Sequence, residues 1–107
     1  MDQWRFCVEL ESDLIRILAG SDAHSTIVAL RATNAGKAQL LNGVYLPALQ
    51  RVIEEFKRSD FDASARRWSK VVDAKLVSAG IDPSSGDSLE IAQRLLNDPL
   101  QRWRTEE

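Results

Sequence analysis

Residues 44–58, VYLPALQRVIEEFKR, admit one regular structure and so constrain the fold more than any other stretch. Leu46, Leu49, Val52, Ile53 and Phe56, with Tyr45, fall in an arc of about 120° when the chain advances 100° per residue. Gln50, Arg51, Glu54, Glu55, Lys57 and Arg58 take the other side. Pro47 is tolerated only in the first turn of a helix, which sets the start near Val44. Glu54 and Arg58 have the spacing and order of a helical ion pair. An amphipathic helix needs other apolar surfaces to bury its stripe, so the remaining segments are read for their ability to supply them.

Residues 3–19 offer two readings. Trp4, Phe6, Val8 and Leu10 alternate with Arg5, Cys7 and Glu9 as in a strand. Over the longer window, Asp2, Arg5, Glu9, Ser12, Asp13 and Arg16 share an arc of about 100°, and nearly all the apolar residues take the rest. Only the helical reading gives Leu14, Ile15 and Leu18 a buried face. A helix over 3–19 is therefore expected, closed by Gly20 as a left-handed cap, with Trp4 and Cys7 on its buried side.

Ser21 or Asp22 can cap a second helix to about Asn34, with Gly36 just past its end. The β-branched run TIVAL leaves residues 26–30 open between helix and strand. A short helical piece over Lys37–Leu41 follows, and Asn42-Gly43 reads as a turn. After the 44–58 helix, Asp60 or Asp62 caps a fourth, whose stripe is Phe61, Ala65, Trp68, Val72, Leu76 and Ala79, stopped by Gly80. Pro83 and Gly86 punctuate a loop. Asp87 and Glu90 then have capping-box spacing for a fifth helix through Asn97, broken by Asp98-Pro99. The expected fold is all-α: a single compact bundle of about five helices with short loops, residues 1–107 forming one domain and 100–107 a short C-terminal extension. A second domain would be too small for its own core.

The motifs that would carry chemistry fail on their spacing. TNAGKAQLLNG, residues 33–43, contains a Gly-Lys pair, but a phosphate loop needs a glycine where Arg31 stands and Ser or Thr where Ala38 stands. As a helix-turn-helix, Ala32 and Gly36 fit the small residue and turn glycine. Arg31, Lys37 and Asn42 then occupy positions that should be apolar, and Pro47 interrupts the reading helix. A bend with Gly36 at positive φ is the simpler account. DPSSGDSLE resembles a calcium loop, yet Gly86 comes one residue early and Gln93 replaces the bidentate glutamate. His24 is the only histidine; with Asp22, Ser21 and Ser25 on one turn it cannot assemble a triad, which converges from separate elements. One cysteine makes no internal disulfide and no multi-cysteine zinc site. No catalytic residue, cofactor site or metal site is expected.

Net charge is −2 and the pI about 5.4, which excludes bulk attraction to nucleic acid or anionic membrane. No apolar run approaches membrane-spanning length and no basic-apolar leader opens the chain, so a cytoplasmic, reducing location is expected. What remains is a non-enzymatic protein-interaction module. Its expected type is a small bacterial protein that neutralises or escorts one protein, as immunity proteins, antitoxins and secretion chaperones do. Its partner would be a protein such as a basic toxin or effector, with neither nucleic acid nor membrane bound; a homodimer is left open. The candidate interface is the acidic group Glu54, Glu55, Asp60 and Asp62, with Arg102 and Trp103 of the terminal RWR, where Trp103 is either a lid on the core or an interface anchor. The competing class is a helix-turn-helix-like nucleic-acid regulator on residues 22–58, with Arg31, Lys37 and Arg51 on one face.

Overall fold

The computed structural model describes residues 2–58 and 66–101. Its first elements are not helical. β1 (Phe6–Glu9) and β2 (Arg16–Ala19) form an antiparallel hairpin in the register Phe6–Ala19, Cys7–Leu18, Val8–Ile17 and Glu9–Arg16. The helices α1 (Ser21–Leu30), α2 (Asn34–Leu40), α3 (Leu46–Lys57), α4 (Arg67–Ala79) and α5 (Ser88–Leu95) follow, with a π-helical turn, Leu41–Tyr45, joining α2 to α3. The fold is thus mixed, mostly helical with one two-stranded sheet, and the all-α expectation is wrong over residues 3–19.

The cause lies in the 10–15 connection. Ser12 donates from its hydroxyl to Glu9 Oε2 (3.2 Å) and to the Leu14 carbonyl (3.0 Å), and the Glu11 amide donates to Glu9 Oε1. Ser12 on the Leu14 carbonyl and Glu9 on the Glu11 amide are local side chain–backbone bonds that compete with a helical ladder and so favour a turn. The strand period then governs: Val8 packs against the core and Leu10 is buried, while Cys7 between them is exposed. Trp4, expected in the core, is 68% exposed. Gly20 is extended (φ −64°, ψ 165°), not left-handed. Its missing side chain serves a close approach: a Cβ there would lie 2.1 Å from the Asp2 carbonyl oxygen.

Downstream the local readings fare better. Residues 26–30 are helical, inside α1. Neither Ser21 nor Asp22 caps that helix; Gly20 stands at its N-cap without a side-chain bond. The helix ends at Leu30, and α2 begins at Asn34 with Thr33 accepting the Gly36 amide at 2.9 Å. Gly36 therefore sits in the first turn of α2, buried, rather than beyond a helix end at positive φ. Asn42-Gly43 is no chain reversal. Both lie in the π-turn that leads into α3, whose second residue, Pro47, lacks an amide and so interrupts the regular helical ladder. Asn42 Nδ2 donates to the Ala38 and Pro99 carbonyls, both at 2.9 Å, tying this turn to the chain after α5.

α3 has the expected face, with Ala48, Val52 and Ile53 buried. Its cation pairing differs by one residue: Arg58 turns to Glu55 (3.4 Å), not Glu54, and shares that carboxylate with Arg51 (3.0 Å). Gly80 ends α4 in the left-handed conformation, φ 68°, as its position predicts. The predicted caps of the fourth helix, Asp60 and Asp62, and its stripe members Phe61 and Ala65 lie outside the described residues. α5 starts at Asp87, whose carboxylate accepts the Glu90 amide at 2.7 Å. Only this forward half of the capping box forms among the described residues. Asp87→Ala is expected to cost about 1 kcal/mol in urea unfolding, with the slope of the transition unchanged. Asn97 and Asp98, both left-handed, then turn the chain into Pro99, ending α5 at Leu95 rather than Asn97.

The main core comprises Leu10, Val52, Ile53, Trp68, Val72, Leu76, Ile81 and Ile91, from the hairpin, α3, α4, the Ile81 turn and α5. Val8, Leu49, Phe56 and Leu95 pack on it. α3 lies against α5 most extensively, and β1 reaches the core through α3. Among the described residues no helix is long and apolar enough to cross a membrane.

Candidate interaction surface

Among the described residues, the hairpin combines firm anchoring with exposed apolar side chains. Its tip is fixed to the start of α4. Arg66 stands at the N-cap of that helix without a side-chain cap bond, so the first amides of the helix need acceptors from elsewhere. Asp13 supplies two: its carboxylate takes the Arg67 amide (3.3 Å) and its carbonyl takes the Trp68 amide (3.1 Å). The Leu10 carbonyl takes Trp68 Nε1 (3.1 Å) and an Arg66 guanidinium N–H (3.0 Å). Arg66 also reaches Glu11 at 3.5 Å, although Glu11 is mostly solvated and that pair contributes little. The open end is held by the Gly20 amide on the Arg5 carbonyl and the Ala23 amide on the Gln3 carbonyl, each 2.9 Å.

Large apolar side chains nevertheless project from this fixed hairpin. Leu14 is 62% exposed, Leu18 42% and Ile15 40%, in addition to Trp4. On the strands, Arg5, Cys7, Glu9, Arg16 and Leu18 share the outward face, because successive strand residues alternate sides. The face carries a central Cys7–Leu18 row with charged residues beside it. Nothing in the sequence's helical reading pointed here, since that reading buried Leu14, Ile15, Leu18 and Cys7 together. The alternation Trp4-Phe6-Val8-Leu10 was the signal that could have found it.

The sequence-predicted acidic interface is placed only in part. Glu54 is exposed on α3, while Glu55 is half-buried between Arg51 and Arg58, its charge already met. Asp60, Asp62, Arg102 and Trp103 lie outside the described residues. Of the basic residues considered for nucleic acid, Arg31 and Lys37 are exposed near the α1–α2 turn and Arg51 is engaged by Glu55.

The remaining chemical candidates resolve into local structure. His24 is exposed on α1, and the Ser25 hydroxyl donates to the Ser21 carbonyl at 3.1 Å instead of to an imidazole. Asp82 accepts the Ser84 amide (2.9 Å) and hydroxyl (2.7 Å), which holds its carboxyl below the usual carboxylate range. Its carboxylate thus organises its own loop. Among the described residues no three His, Cys, Asp or Glu side chains gather as a metal site. A cavity of about 140 Å³ lies between Asn42, Leu46, Gln93, Asp98, Pro99 and Leu100, and among the described residues the buried Asn42 Oδ1 has no hydrogen-bond partner.

No family model matches the chain, and neither a curated protein nor a solved structure matches it.

Proposed function

We propose that this chain is a protein-interaction module that docks a protein partner on the outward face and tip of its hairpin. The observation that carries the reading is the combination of anchoring and exposure. Leu14, Ile15 and Leu18 stay open to solvent although Leu10 and Asp13 hold the hairpin to α4. Apolar groups on a pre-ordered support lose little further entropy on binding, so their burial counts toward affinity. An exposed apolar patch rimmed by charge is a general mark of an interaction site. Arg5, Glu9 and Arg16 provide such a rim. Within this class, a small bacterial protein that neutralises or escorts one partner in the cytoplasm is the narrower proposal. The net charge of −2 favours a basic partner through steering.

The test is retention of a partner from native lysate by the wild type and by two variants, with and without nuclease. Leu14→Ser/Ile15→Ser removes the exposed tip while leaving the core side chains in place. Glu54→Arg changes the exposed acid on α3. One stoichiometric protein that survives nuclease, is lost with Leu14→Ser/Ile15→Ser and is kept with Glu54→Arg is the expected result. Loss with Glu54→Arg alone moves the site to the acidic helix face. Loss of all bound material on nuclease treatment replaces the reading with a nucleic-acid regulator.

A further inference from the structure

The free edge of β1 is complementary to itself. The Gly20 amide bonds the Arg5 carbonyl, so Arg5–Gly20 is a hydrogen-bonded pair of the hairpin. Alternation along an antiparallel ladder then makes Cys7–Leu18 and Glu9–Arg16 the next bonded pairs. Phe6 and Val8 therefore turn their amides and carbonyls away from β2. Among the described residues no hydrogen bond reaches those groups. An unpaired strand edge is a template for another strand.

Laid antiparallel on a copy of itself about Cys7, the segment Arg5–Glu9 pairs with no conflict. Phe6 meets Val8 of the second copy as a bonded pair, twice, giving about four new main-chain hydrogen bonds. Phe6 and Val8 also bring an aromatic beside a β-branched side chain on the inward face. Cys7 meets Cys7. Arg5 meets Glu9, twice, with opposite charges directly across from each other. The cross-strand row then reads Arg16, Glu9, Arg5 of the copy: each glutamate lies between two arginines, one from each chain. A one-residue slip would set Phe6 opposite Cys7 and turn inward side chains outward, so the pattern fixes the register.

We propose that two copies of this chain join through β1 in antiparallel register about Cys7, forming a continuous four-stranded sheet in the order β2-β1-β1-β2. A two-stranded hairpin is marginal alone, and four strands with a buried face are not. This goes beyond the partner-binding reading, because the joined edge leaves the outward face free and sets two such faces side by side, with Leu18, Cys7, Cys7 and Leu18 in one row.

Light scattering after size exclusion tests the pairing without any other partner. The wild type is expected to move from monomer to dimer over a concentration series. Arg5→Glu sets glutamate against glutamate and leaves the 10–15 connection intact. Glu9→Arg sets arginine against arginine but also removes the acceptor of the Glu11 amide and the Ser12 hydroxyl, so Arg5→Glu is the deciding single variant. Each alone weakens the dimer by about tenfold or more. Mixing the two variants restores it, since both glutamates of one chain then face both arginines of the other. Circular dichroism of each variant confirms that it is folded before mixing. Cys7 gives an independent readout: paired residues at this kind of position have Cα atoms about 4.5 Å apart, within disulfide reach. Added diamide takes up the two electrons and two protons that the paired thiols release, and joins the chains in the wild type but not in Cys7→Ser. A wild type that stays monomeric at every concentration overturns the proposal. So does a dimer that the charge variants leave intact, or one that diamide does not cross-link.

Discussion

Gly36→Ala is expected to destabilise the protein by about 3 kcal/mol or more in urea unfolding, although alanine is the better helix former. Two effects compete at this position. Inside a helix, replacing glycine with alanine gains about 1 kcal/mol through backbone entropy. Against that, a Cβ on Gly36 would lie 2.0 Å from the Leu30 carbonyl oxygen and 2.8 Å from its carbon. Those atoms belong to the end of α1, so no rotamer change relieves the overlap. Separating them means moving α1 from α2, and with it the Thr33 cap that takes the Gly36 amide. Overpacking against side chains costs about 1–3 kcal/mol, and a backbone obstacle belongs at or above the top of that range. Gly43→Ala is the internal control. It too lies in a helical turn, has nothing within 4 Å of the added carbon, and is expected to be neutral or stabilising by up to about 1 kcal/mol. Equal losses at both glycines would show that the close approach of α1 and α2 is not what fixes Gly36.

These glycines also show what a single sequence conveys. Gly80 was legible as a helix stop because the left-handed cap is a local need, satisfied within the turn that contains it. Asp87 was legible for the same reason, its carboxylate bonding an amide three residues on. The α3 stripe was legible because a period repeated over four turns leaves little choice. Gly36 and Gly20 were misread as caps. Their requirement comes from Leu30 and Asp2, which approach from other segments, and no local rule records such an approach. Residues 3–19 failed for a related reason. The helical reading assumed that Leu14, Ile15 and Leu18 must be buried, and the chain leaves them exposed. The hairpin is fixed instead by Asp13 and Leu10 on α4, more than fifty positions away in sequence. The candidate surface was hidden by the same assumption, since side chains placed in a core are not considered for a partner. The acidic residues drew notice as a cluster in sequence, but Arg51 and Arg58 on the same helix already engage Glu55.

Trp68 is where the hairpin and the helices become one cooperative unit, and Trp68→Ala is expected to cost about 3–5 kcal/mol. The side chain is 2% exposed and central to the main core, so truncation removes a large contact area and leaves a cavity among Leu10, Val72 and their neighbours. It also removes the indole donor from the Leu10 carbonyl. Trp68→Phe separates the two contributions. Phenylalanine keeps most of the packing, and the Leu10 carbonyl keeps the Arg66 guanidinium at 3.0 Å, so no buried acceptor is orphaned. Its cost is expected to be about 1–2 kcal/mol. Hydrogen exchange shows where the loss is felt. A two-stranded hairpin released from its support is only marginally stable. In Trp68→Ala the bonded amides of β1 and β2 should therefore lose protection before those of α3 and α5, which also pack directly on each other over the most extensive helix contact. Uniform loss over all elements would mean that the hairpin and helices unfold together even without the indole. Retained protection of the hairpin would mean that Asp13 and the Gly20 end suffice to hold it. Only the staged loss assigns the coupling to Trp68, and with it the rigidity that lets Leu14, Ile15 and Leu18 stand exposed without collapsing onto the core.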